Sequence, residues 1–151
     1  MSMSSEPAIA DELGPIDFLA VEFPGAHISA PGFEQLLSLA DQGVIAILDL
    51  EFISKDAAGD ARKVDVADLP NPDGVDLSAW AGASSGLLDR ADIEQIAAEI
   101  APGSVAAVIV YEDRWAVNLV NIWRRDGARF IADGGLAAGD VVAALDEAEA
   151  S

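Results

Sequence analysis

The chain has no cysteine, one histidine, one tyrosine and only eight Lys+Arg against 27 Asp+Glu. Each scarcity removes a class of function. Without thiols there is no disulfide, no cysteine nucleophile and no thiolate metal site, and the redox compartment leaves no trace in the sequence. With His27 as the sole histidine, metal clusters built on several imidazoles are excluded. A formal charge of −19 opposes direct binding to nucleic acid or anionic lipid, since both need cations to meet phosphates. Basic proteins and metal ions stay open as partners. No window reaches the roughly 18 consecutive apolar residues of a membrane-spanning helix. The N-terminus, Met1-Ser-Met-Ser-Ser-Glu6, lacks the basic and apolar regions of a secretory signal. A cytosolic protein is expected.

What is abundant is aliphatic. Of 151 residues 52% are hydrophobic, and the mean hydropathy is +0.30. An Ala, Val, Ile and Leu interior under an acidic shell satisfies both the hydropathy and the charge. The length suits a single core, so residues 14–151 read as one domain and Met1–Leu13, which has no steady periodicity, as a disordered tail.

Ser104–Val110 (S-V-A-A-V-I-V) carries no charge, so as a strand it needs apolar cover on both faces and belongs in the centre of a sheet. Ile16–Phe23 and Val44–Ser54 are further strands, and Arg62–Leu69 alternates as the second arm of a hairpin. On Val44–Ser54 one face reads Val44, Ala46, Leu48, Leu50, Phe52, and the other Ile45, Ile47, Asp49, Glu51, Ile53, turning acidic halfway. Helices are expected over Phe33–Asp41, over Arg90–Ala101 with Asp89 as cap, and over Ala138–Glu149. Another is expected over Arg114–Arg125, where Trp115, Leu119 and Ile122 recur at i, i+4, i+7 and should lie back over the sheet. Gly127 stops that helix, and Ala128–Ile131 is expected to return as a short strand.

The order β-α-β-β-α-β followed by α-β-α predicts an α/β (α+β) fold. Its plan is a ferredoxin-like βαββαβ antiparallel sheet with two helices on one face and an added C-terminal extension. A doubly wound sheet fits less well, because the hairpin has no helix between its strands. The bare second face must be covered by the Trp115 helix and the C-terminal helix, or by another subunit. Burying several hundred Å² there would contribute on the order of 10 kcal/mol at roughly 25 cal/mol/Å², so a homo-oligomer is expected.

The runs Gly14-Pro-Ile-Asp-Phe-Leu-Ala-Val-Glu-Phe-Pro-Gly25, Asp41-Gln-Gly-Val-Ile-Ala-Ile-Leu-Asp-Leu50, Gly82-Ala-Ser-Ser-Gly-Leu-Leu-Asp89 and Tyr111-Glu-Asp-Arg-Trp-Ala116 resemble an actinobacterial family of uncharacterised proteins. Its relatives include bacterial proteins described as stress-associated or membrane-associated. The resemblance covers nearly the whole chain from Gly14 and implies a stress-related role, with no catalytic residue to carry over. Where the membrane-associated relatives hold a glycine-rich apolar segment, this chain has the polar Pro70–Gly86.

Two groups of residues are candidates for a site. Asp49 and Glu51, two apart on one strand face, are candidate ligands for Ca²⁺ or Mg²⁺, against the alternative of a solvated strand face. Arg114, Arg124, Arg125 and Arg129, beside Trp115 and Trp123, are half of all the cations and form the candidate interface, against the alternative that Arg124 and Arg125 merely complement their own helix end. Asn71-Pro-Asp73-Gly74 has the middle of a calcium loop, but Leu69 and Trp80 stand where its first and twelfth ligands belong, so it reads as a turn. No nucleophile, cofactor fingerprint or acid–base pair stands out, and no cofactor is expected. The function expected is non-catalytic self-association, with binding of a divalent cation or a basic protein through the acidic strand face as the alternative.

Overall fold

In the computed structural model, which describes residues 14–129, 131 and 138–150, Val105, Ala106, Ala107 and Val108 are at most 1% exposed. A strand so enclosed must be central, and it is. The strands are β1 (Ile16–Phe23), β2 (Ala46–Lys55), β3 (Ala61–Val64) and β4 (Val105–Glu112), and the helices are α1 (Ala30–Asp41), α2 (Arg90–Glu99), α3 (Arg114–Arg125) and α4 (Ala138–Ala150). The fold is mixed α+β with one four-stranded sheet in the order β1-β4-β2-β3, antiparallel throughout. The tail expected over Met1–Leu13 lies outside the described residues.

Alternation along β4 divides the interior in two. Val105, Ala107 and Ile109 join Leu50 and Phe52 beneath Phe33 and Leu36 of α1 and beneath Leu69, Leu77 and Trp80 of the following loop. Ala106 and Val108 join Ile53 beneath Ile93 and Ile96 of α2. The helices therefore cover opposite faces. This corrects the ferredoxin-like expectation of two helices on one face, and the physical reason is β4 itself, apolar on both sides with a helix for each. Trp80, 7% exposed and tilted against Phe33 at a centroid distance of 6.2 Å, is part of the core.

The helix ends are set by local chemistry. Asp89 and Asp92 exchange side-chain to backbone hydrogen bonds as a capping box on α2. At its other end Lys55 Nζ donates to the carbonyls of Ala97 and Ile100 at 2.8 and 3.0 Å, tying α2 to the end of β2. α3 ends in a Schellman motif: Ala128 N–H donates to Trp123 O and Gly127 N–H to Arg124 O, with Gly127 at φ 94°. The chain leaves that motif without a strand partner, and the short strand expected over Ala128–Ile131 is absent at its described positions 128, 129 and 131.

Strand β2 departs from simple alternation. Its pairing with β4 shifts register between Ile47 and Asp49, a bulge at Leu48. Residues before the bulge change sides, so Ile47 packs with Leu50 and Phe52 rather than on the face of Asp49 and Glu51 as strict alternation predicts. β3 is only four residues long and pairs with Phe52–Lys55, which leaves the first half of β2 open on that side. The loop before α2 fills the gap, with Leu50 N–H donating to Ala83 O at 3.2 Å and Ser85 Oγ to the carbonyl of the bulged Leu48 at 2.7 Å.

Candidate interaction surface

Both sheet faces are occupied before the chain reaches α3, and this decides where α3 goes. It is attached through small residues. Ala116 and Val117 are buried, Trp115 N–H donates to Val44 O at 3.1 Å, and Gly14 sits so close to Val117 that any side chain there would overlap it. Trp115, Leu119, Ile122 and Trp123 of the same helix are 55, 37, 52 and 53% exposed. The stripe expected to lie over the sheet faces outward instead. α1 and α2 already cover the two faces of the central strand β4.

A second apolar exposure lies along β1. This strand is an edge, paired only to β4 over an unbroken register from Ile16↔Glu112 to Phe23↔Val105. Ile16, Phe18, Leu19 and Val21 are all more than 40% exposed. α1 covers only the end of this strand, where Phe23 meets Phe33 at a centroid distance of 5.9 Å. On one face Leu19 and Val21 border a trough of about 360 Å³ against Phe33, Leu36 and Leu39 of α1. On the other, Phe18 and Ala20 border one of about 540 Å³ against Ile96 and Ile100.

The arginines do not gather into one patch. Arg114 pairs with the buried Glu112 at 3.1 Å, and ten residues of helix, about 15 Å, separate it from Arg124. Arg124 and Arg125 occupy the last turn of α3, where they complement its negative end, and Arg129 is exposed just beyond. The structure thus brings Trp123, Arg124, Arg125 and Arg129 to one end of the helix and places Arg114 and Trp115 at the other.

Asp49 and Glu51 are neither solvated nor vacant. They are 0 and 3% exposed, and each carboxylate oxygen has a donor. Asp49 accepts from Ser85 N–H at 2.7 Å and Leu87 N–H at 3.2 Å, while Glu51 accepts from Ser84 Oγ and from Lys63 Nζ at 3.4 Å. The pair is a clasp that holds the loop against the open half of β2. No cluster of three or more metal-ligating side chains exists among the described residues, and none of their helices is long and apolar enough to cross a membrane.

Residues 12–151 match the profile of a family of unknown function, DUF6325. The chain belongs to that family. Neither a curated protein nor a solved structure matches it.

In this DUF6325 member the start of β1 also holds an acidic pair that sequence reading misses. Burial raises the Asp113 carboxyl from 3.8 to about 6, aided by a hydrogen bond to Asp17 and by its charge, while a hydrogen bond from Trp115 opposes the rise. The Tyr111 hydroxyl is also pushed up, by burial first and then by Asp17 and Asp113. Nothing in the sequence announces this pair, because register alone sets Asp17 across from Tyr111. The edge exposure of β1 did leave a signal: I-D-F-L-A-V-E-F is apolar on both faces and carries no lysine or proline. His27, by contrast, lies in an exposed loop, where Nδ1 meets Asp73 at 2.9 Å and joins two surface turns.

Proposed function

We propose that this chain is a non-catalytic, self-associating domain. The observation that carries the reading is the outward stripe of α3, four large apolar side chains, two of them tryptophans, that stay 37–55% exposed. A contiguous apolar helix face rimmed by charge is a protein-contact surface on general grounds. Arg125, in the last turn, meets acidic surface of a neighbouring copy, which this chain, with 27 Asp+Glu, offers widely. A stress-related role for the assembly is part of this proposal, resting on the resemblance to an uncharacterised family with relatives described as stress-associated. Cation binding through Asp49 and Glu51 has no observation in its favour, because donors already occupy all four oxygens.

Size exclusion with light scattering at micromolar concentration tests the reading. More than one chain per particle is expected, and Arg124→Glu with Arg125→Glu lowers that number. A strictly monomeric wild-type particle overturns it.

A further inference from the structure

We infer that β1 is the seam of the assembly, pairing antiparallel with β1 of a second copy to make one continuous eight-stranded sheet, four from each chain. This rests on the self-association just proposed but names a surface independent of α3. The outer N–H and C=O groups of β1 have no strand partner among the described residues, and an edge left so is a template for another strand. The usual guards are missing. β1 has no proline, lysine or bulge, and its two acids are engaged inside the chain: Glu22 Oε2 accepts from Ala101 N–H at 2.8 Å, and Asp17 is hydrogen-bonded to Asp113.

A second copy fits this edge better than an arbitrary strand. In an antiparallel pair, residues whose backbone groups point outward must face partner residues that also point outward, and outward residues alternate along a strand. When a strand pairs with itself, the numbers of facing residues must therefore sum to an even value. Asp17 and Glu22, the only charges on β1, can never stand opposite each other. The two central registers turn about Leu19 or about Ala20. The first sets Leu19 on Leu19 and Phe18 on Ala20, and the second sets Ala20 on Ala20 and Leu19 on Val21. Either one encloses β1 side chains between a helix and its symmetry copy, α1 on one face and α2 on the other, filling the troughs that flank the strand. An eight-residue strand is about 27 Å long and a three-layer edge about 25–30 Å deep, so the seam covers on the order of 700–800 Å² per copy, the size of a standard stable interface.

The absence of native cysteine makes a direct test possible. Leu19→Cys and Ala20→Cys are introduced singly into the full chain, with Leu145→Cys on α4 as an exposed control. Facing residues in a ladder have Cβ atoms about 4.5–5.5 Å apart, close to disulfide reach. Under mild oxidation one of the two β1 variants is expected to form a covalent dimer at least about ten-fold faster than the control. Leu19→Lys, at a half-exposed site, is expected to stay folded by circular dichroism and lose the dimer, even though an added cation lowers the repulsion between acidic chains. A dimer by light scattering that survives Leu19→Lys and cross-links no faster at 19 or 20 than at 145 overturns the seam and leaves self-association standing. A monomeric wild type overturns both.

Discussion

Asp49 gives the clearest case of a residue whose type is legible and whose use is not. An aspartate alternating with Glu51 on a strand reads as a wet acidic face, yet both are buried and hold the loop by its amides. Asp49→Asn would replace one acceptor oxygen by an NH₂ facing an amide donor, so a loss of about 1.5–3 kcal/mol is expected in urea unfolding. Asp113 makes a pH-dependent prediction. Its folded value is raised from 3.8 to about 6 by burial and by Asp17. Stability from this group is therefore complete below about pH 4 and is lost as pH rises through about 6, where the folded state must ionise a carboxyl it disfavours. Asp113→Asn removes that decline. Relative to wild type the variant should gain stability at pH 7, and the gap should close toward pH 4 in paired denaturation curves.

Elements were the most readable scale where periodicity and end signals agreed. Arg114–Arg125 and Ile16–Phe23 carry their patterns from end to end, and the Asp89 cap forms as expected. Which side of α3 meets the protein was not readable, because an amphipathic stripe marks an apolar face without saying what covers it. Leu119→Gln with Ile122→Gln tests the orientation. If the stripe faces outward, the double variant unfolds within about 0.5 kcal/mol of wild type when both are diluted to monomers, while its particle mass falls at the concentration where wild type associates. A helix packed over the sheet would lose several times that in stability. The alternation on β2 failed for a local reason, since one bulged residue exchanges the two sides of everything before it.

At the scale of the whole molecule, charge and apolar surface oppose each other. Two chains of −19 repel at long range, and raising salt from about 10 mM to 150 mM shortens the screening length from about 30 Å to about 8 Å. Association measured by light scattering should therefore strengthen with salt. Weakening would mean that contacts made by Arg125 outweigh the repulsion of the chains. The sequence by itself determined the apolar character of the core, the centrality of β4 and the existence of the helices, because these follow from short-range periodicity, while the first helix begins at Ala30 rather than Phe33 and the second ends at Glu99 rather than Ala101. Only the tertiary structure decided that α1 and α2 lie on opposite faces, that Asp49 and Glu51 are internal, and that β1 and α3 remain uncovered. Those outcomes depend on strand order and on which surfaces are already occupied when each element packs, and neither is encoded in any single stretch of the chain.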